Sequence, residues 1–344
     1  MWVTSYSTTA LMPTSVALGN FDGVHRGHQQ VIDRVFSSAS ATIAPETPPN
    51  PNSSPSLPIL GSETELPLQL TQERPRDRNF GKICTAVVTF NPHPQEFFSR
   101  QPRTYLTTLD EKEDRIRALG VDWLVLLPFD GQLAQLSPQA FVEEILVRQL
   151  NARQVSVGQD FRFGCQRVGT ATDLQAIAAN YGIVTNIVSL EMQAGERISS
   201  SSIRASLSEG RISRANRLLG YAYRLTGTVE KGQQLGRTLG FPTANLNIPV
   251  EKYLPRWGVY SVRVDTPNVT GHPGVMNIGC RPTVKGERPT VEVHLLEWSQ
   301  DLYGQTVTVH LQDFLRPEQK FESLDALKAQ IQKDCDRAKS ELAS

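Results

Sequence analysis

The sequence lacks net charge: 35 basic and 35 acidic side chains cancel over 344 residues. No global field draws such a chain to nucleic acid or to an anionic membrane, so any recognition of phosphate must be local. Cysteine is scarce as well. Cys84, Cys165, Cys280 and Cys335 lie far apart with no C-x-x-C pair, which argues against a disulfide framework or a zinc site and fits a reducing cytosol. The chain has no basic n-region followed by an apolar leader, and no apolar run approaches the length of a membrane span. Together these absences predict a soluble, cytoplasmic protein, long enough for two domains that each bury a core.

What the chain does have is concentrated in Val16 to Ile32, V-A-L-G-N-F-D-G-V-H-R-G-H-Q-Q-V-I. An apolar run ends at Gly19, a turn carries Asp22 and Gly23, and a helix is predicted to open around Gly27. His25 and His28 then share one face of its first turn. Free amides and the positive end of the helix dipole attract anionic oxygens, and glycine lets a ligand come close to the main chain. Two imidazole N–H groups can donate to charge that builds up on a phosphate during displacement. The stretch G-N-F-D-G-V-H-R-G-H resembles the H-x-G-H nucleotidyltransferase superfamily, in the form found in bacterial FAD synthetases, the bifunctional riboflavin kinase/FMN adenylyltransferases. The resemblance implies an ATP site made by Gly19, Asn20, Phe21, Asp22, Gly23, His25, Gly27 and His28.

Residues 1 to 12 are polar and expected to be poorly ordered. From 37 to 80 the composition turns to Pro, Ser, Asn, Thr and Glu, which cannot build a packed core. A solvated insertion is expected, so that deleting Ser53 to Asn79 should leave activity nearly intact; an inactive but folded deletion variant would contradict this. Ile83 to Phe90 reads as a strand buried on both faces. The N-P-H-P that follows puts Asn91 and His93 beyond its carboxyl end, where ligands bind in open α/β sheets. It resembles the family's T-F-x-P-H-P segment, which implies a flavin contact for Asn91.

Leu109 to Leu119 is a charged amphipathic helix closed by Gly120, its charges expected on a solvated face, and Trp123 to Leu127 is the next buried strand. A helix over Pro138 to Leu150 leads to a strand at Gln154 to Val157 and then to G-Q-D-F-R-F-G. Aromatics spaced this way suit core packing; the resemblance to the family's G-x-[DN]-F-x-F-G loop instead implies that Asp160, Phe161 and Phe163 serve the flavin end of the site. After a helix near Asp173 to Tyr181 and a strand from Val184 to Leu190 comes I-S-S-S-S-I-R. Hydroxyls at a helix start bind phosphate, and Arg204 could reach the polyphosphate as a fork donor. The segment resembles the family's I-S-S-T-x-I-R, implicating Ser199, Ser200, Ser201 and Arg204. Ser201 stands where threonine is usual and Ser202 where many members carry arginine. A last helix runs from Arg211 to Gly220. Strands alternating with helices predict a doubly wound, mostly parallel sheet; with the resemblance, residues 13–222 form a Rossmann-like adenylyltransferase domain.

Beyond Tyr223 short alternating strands take over, Val259 to Val264, Val291 to Leu296 and Thr306 to Leu311, and predict a small antiparallel barrel over 223–344 with a closing helix at about Ser323 to Leu342. Leu324, Leu327, Ile331, Cys335 and Ala338 form that helix's packing stripe. Gly232, Gly236 and Gly240 permit close backbone approach, as turn glycines do in any barrel. The G-F-P-T-A-N that follows resembles the riboflavin kinase signature and implies that Thr243 and Asn245 ligate Mg²⁺ and ATP phosphate beside Pro242. Oxygen ligands of this kind suit Mg²⁺. Glu292 sits in an alternating strand, where it could simply be solvated. The segment from Val291 to Gly304 resembles the family's V-E-x-x-L-L-x-x-x-x-D-L-Y-G, in which the glutamate is the general base for the ribityl 5′-hydroxyl. Met276 to Thr283 fits the same pattern, and F-L-R-P-E implies a flavin contact for Arg316. ATP, riboflavin, FMN and FAD are the substrates and products implied. The rivals are another H-x-G-H nucleotidyltransferase, against which the kinase signature argues, and a catalytically silent flavin or nucleotide sensor.

Overall fold

The computed structural model describes residues 1–5, 10, 12–39, 83–189, 192–193, 196–232, 236, 239–283 and 286–343. The expected insertion falls almost wholly outside them, as does the Ser53 to Asn79 deletion. The first half is a parallel sheet of β1 (Trp2–Ser5), β2 (Thr14–Leu18), β3 (Cys84–Asn91), β4 (Trp123–Pro128), β5 (Ala152–Gly158) and β6 (Val184–Val188), ordered β1-β4-β3-β2-β5-β6. β2 is buried at every position, as a central strand covered on both faces must be. The chain walks outward from β2 to β3 and β4, then returns to the other side of β2 with β5. The crevice opened by that reversal lies at the carboxyl ends of β2 and β5, where doubly wound sheets bind ligands.

The N-terminal residues depart from expectation. Trp2 to Ser5 pair in parallel with Trp123 to Leu126 at the sheet edge, and the Trp123 indole donates to Thr4 Oγ1 at 2.7 Å. A lone polar-looking segment gives no periodic signal, but an open edge supplies its hydrogen bonds. The helix expected over 138–150 is α-helical only at Pro138–Phe141; Val142–Gln149 is wound as a π-helix, with Leu150 N–H donating to Ile145 O. The helices that bear on function are α1 (Arg26–Asp33), α2 (Pro94–Ser99), α3 (Leu109–Ala118), α4 (Ala171–Ala179), α5 (Ser200–Ser208) and α6 (Ile212–Leu219). Capping boxes set the starts of α3, α4 and α5, with Thr108, Thr170 and Ser199 as N-caps.

The second half is a closed antiparallel barrel of β7 (Arg224–Glu230), β8 (Ala244–Asn247), β9 (Gly258–Asp265), β10 (His272–Thr283), β11 (Gly286–Leu295) and β12 (Thr306–Arg316), in the order β7-β8-β11-β10-β9-β12. Closure leaves no unpaired edge. α7 (Leu324–Ala343) lies against the barrel through Cys335 and Ala338, which pack with Val259, Val275, Leu296 and Leu315, and Ile331 adds to the contact. Leu324, by contrast, is exposed.

The barrel's apolar core extends onto the last two helices of the first half, while the parallel sheet keeps cores of its own on its two faces. Ile203 and Leu207 of α5 and Ile212, Leu218 and Leu219 of α6 belong to the same buried cluster as Tyr260, Met276, Val293 and Leu311 of the barrel. A polar clasp reinforces it. Tyr105 pairs with Lys252 as an isolated bridge, and Lys252 Nζ donates to Leu106 O at 2.7 Å and to Glu111 Oε2 at 2.5 Å. The charges of α3 were expected on a solvated face. Glu111 and Lys112 are in fact buried, because that side of α3 faces the barrel connection and the turn after β2.

Candidate active sites

A cavity of about 1110 Å³ opens at the carboxyl ends of β2 and β5, at the upper end of the range for small-molecule sites. Gly19, Asn20, Phe21 and Asp22 form one wall with His25, Gly27 and His28; Asp160, Phe161 and Phe163 stand across from them, and Ser199, Ser200 and Ser201 complete the rim. His25 is the N-cap of α1: its Nδ1 accepts from His28 N–H at 3.2 Å, which fixes the ring proton of the neutral form on Nε2. The two imidazoles stack with centroids 3.6 Å apart and planes 13° from parallel. Burial pushes His25 down to about 4 and holds His28 well below the ordinary histidine range, helped at His28 by His25 and Lys112. Both rings are neutral N–H donors at pH 7.

The turn after β2 is braced from behind. Asp22 is buried, accepting from Leu106 N–H at 2.8 Å and Arg204 Nη2 at 2.6 Å, and its carbonyl accepts from Ser200 Oγ at 2.8 Å. Arg204 does not line the cavity. Its guanidinium spans Asp22 and Thr104 O and lies over the Tyr253 ring, so it ties the turn to the barrel connection where a phosphate fork was expected. Gly23, at φ 88°, faces Leu106 and lies off the cavity wall, and Asn91 ends β3 outside that wall. Asp160 is paired with Arg197, which the motif reading passed over along with Arg103 and Lys112. Arg103 lies 3.8 Å from Asp22; Lys112 Nζ donates to Asn20 O at 3.0 Å. Lys112 did leave a trace: it sits one helical turn before the buried Ile116, hence on the inward stripe.

The barrel carries a second cluster. Glu292 on β11 lies directly across from Asn245 on β8 and Asn277 on β10, and Thr243 Oγ1 donates to Glu292 Oε2 at 3.3 Å. The glycines explain themselves here. A Cβ at Gly232 would overlap the Asn245 amide, and one at Gly236 would strike Phe241 O and press on Thr243, so both positions exist to let the chain close over Thr243 and Asn245. Gly240, at φ 89°, makes the turn into Pro242, whose carbonyl bonds His294 Nδ1. Arg316 was expected to touch flavin. Its guanidinium forks onto Asp334 of α7 with three contacts of 2.8 to 3.1 Å, fastening the closing helix.

Two family models match the chain: riboflavin kinase over residues 219–342, and FAD synthetase over 7–47 and 69–202. The bifunctional riboflavin kinase/FMN adenylyltransferase of Escherichia coli K12 is 37% identical over 93% of this chain and 90% of its own length. The chain belongs to the bifunctional riboflavin kinase/FMN adenylyltransferase family. Its relatives from Listeria monocytogenes and Bacillus subtilis are 36% and 32% identical, each over 93% of this chain and 89% of theirs. A solved Streptococcus pneumoniae structure described as a macrolide-efflux protein is 27% identical, with a TM-score of 0.78 over 98% of both chains. That description is of that protein alone. No helix among the described residues here is long and apolar enough to cross a membrane. Ser202 completes a capping box with Ser199, its hydroxyl oxygen accepting from Ser199 N–H at 3.1 Å, and so seats the start of α5.

Proposed function

We propose that the family's two reactions are divided between the two clusters, adenylyl transfer within 13–222 and phosphoryl transfer within 223–344. The chain phosphorylates riboflavin to FMN and adenylylates FMN to FAD, consuming ATP in each step. A ribityl hydroxyl is a poor nucleophile at neutral pH, so the kinase step needs a carboxylate within hydrogen-bond reach. Glu292 takes the 5′-hydroxyl proton as that oxygen attacks the γ-phosphorus, and ADP leaves. Thr243 and Asn245 present the oxygen donors that suit Mg²⁺, which would be held jointly by them and the ATP phosphates; when bound, it neutralises γ-phosphate charge. Gly232, Gly236, Gly240 and Pro242 shape the backbone against ATP. A flavin contact from Arg316 would require it to leave Asp334.

FMN already carries an anionic nucleophile. Its phosphate oxygen attacks the α-phosphorus of ATP and pyrophosphate leaves, so this cleft must align and stabilise charge rather than remove a proton. Neutral His25 and His28 donate N–H to the phosphates, and the Ser201 hydroxyl with the first amides of α5 holds the polyphosphate, beside Ser199, which caps the helix, and Ser200, which braces Asp22. Phe161 and Phe163, whose rings stack 5.8 Å apart, take the flavin end with Asp160 and Asn91. We place the enzyme in the cytosol, in keeping with four cysteines of which none is in a disulfide.

The observation that carries this reading is the pairing of unlike constellations on unlike sheets: stacked neutral imidazoles at a parallel-sheet crevice, and a carboxylate between threonine and asparagine on a barrel. Purified protein given riboflavin, ATP and Mg²⁺ should yield FMN and then FAD by liquid chromatography. Quenched flavin fluorescence with no product would mark a sensor and overturn the proposal.

A further inference from the structure

Lys112 has no part in the scheme above, yet it is placed at considerable cost. Its ammonium is buried behind the turn that forms the cavity wall, and Nζ donates to Asn20 O at 3.0 Å; Thr89 Oγ1 donates to the same oxygen, also at 3.0 Å. Two donors on one carbonyl fix the plane of the Asn20–Phe21 peptide. In a trans peptide the N–H points opposite to the C=O, so anchoring Asn20 O inward turns the Phe21 amide toward the side lined by Gly19, Asn20 and Phe21. Phe21 has φ 47°, a conformation a bulky residue adopts only when its surroundings impose it.

Charge adds a second argument. Asp22 is already met by Arg204 at 2.6 Å and Arg103 at 3.8 Å, so Lys112 is a further cation beside one carboxylate. The imidazoles near it, His28 and His93, are held neutral. A buried ammonium without a counter-ion of its own is costly, and burial lowers Lys112 to about 8. An arriving polyphosphate supplies the missing negative charge.

We propose that Lys112 is a positioning residue for adenylyl transfer, acting with Thr89 to aim the Phe21 amide at the nucleotide's phosphates and to hold a surplus positive charge behind them. This rests on the assignment of adenylyl transfer to this cleft. Lys112→Met and Thr89→Val are to be measured for FAD formation from supplied FMN and ATP, and in the same preparations for FMN formation from riboflavin. Lys112→Met should lower kcat for FAD formation about 100-fold and Thr89→Val about fivefold, with FMN formation within about twofold of wild type in both. A purely structural role would instead lower both activities together with the melting temperature. FAD formation by Lys112→Met within about twofold of wild type overturns the proposal. Should that variant lose both activities, Thr89→Val decides, and an unchanged kcat for FAD formation sinks it. Wild-type protein that makes FMN but no FAD would remove the assignment of the cleft itself, a different failure.

Discussion

At His25 the nitrogen that caps α1 is engaged as an acceptor, so the ring resists protonation, and His28 stacks against it. Both titrate below their ordinary value of 6.5 in the folded chain. Between pH 6.5 and about 4 the unfolded chain therefore binds protons that the folded one refuses. Stability is complete above 6.5 and falls as pH drops, by up to about 1.4 kcal/mol per pH unit for each ring. Urea midpoints measured from pH 7.5 to 5 should decline, and more gently in His28→Asn. His28→Ala should lower FAD formation on the order of 100-fold or more and spare FMN formation, while Glu292→Gln should do the reverse by roughly 100- to 10,000-fold. Loss of both activities from either change in a folded protein would contradict the division. The sequence made the H-x-G-H residues, the serines and the Thr243, Asn245 and Glu292 set legible because each lies in a contiguous word. It hid the placement of Lys112 and the contacts of Arg204 with Asp22 and Thr104, because those depend on which residues meet across long stretches of chain.

Elements repeat the lesson. Strands rich in branched apolar residues were readable from composition, since burial on both faces leaves little choice of side chain. α3 was misread for the opposite reason: D-E-K-E-D-R looks solvated, and only the approach of the barrel connection buries Glu111 and Lys112. The Glu111–Lys252 pair sits at 3% and 1% side-chain exposure, so breaking it strands a buried charge. Lys252→Met or Glu111→Met should each cost about 3–5 kcal/mol, while the two replacements together should come within a few kcal/mol of wild type. Chemical denaturation of the four proteins closes the cycle; equal and additive losses would show that the two side chains do not depend on one another.

For the whole molecule, the change from helical to alternating pattern near residue 222 is plain in the sequence, whereas the packing of α5 and α6 into the barrel's core is invisible. α6 and α5 read as amphipathic helices in sequence, and nothing local says that their apolar faces pack on the barrel. Because they do, the halves should not melt apart. Calorimetry of the intact chain should give one transition, with Trp123 in the sheet and Trp298 beside the barrel reporting the same midpoint by fluorescence of single-tryptophan variants. Two separated midpoints would show that the shared core does not couple them. A fragment beginning at Tyr223 should be less stable than one beginning at Glu196, which retains both helices.

α5 belongs to two neighbourhoods at once: its first turn lines the cavity with Ser200 and Ser201, and its flank is sealed among the side chains of the other half. Natural selection can therefore not tune the two reactions as separate inheritances. A substitution in the floor of the barrel that loosens Ile203 or Leu207 will surface as a fault in making FAD, and a screen for defects in that step will recover lesions from the part of the gene that encodes the kinase.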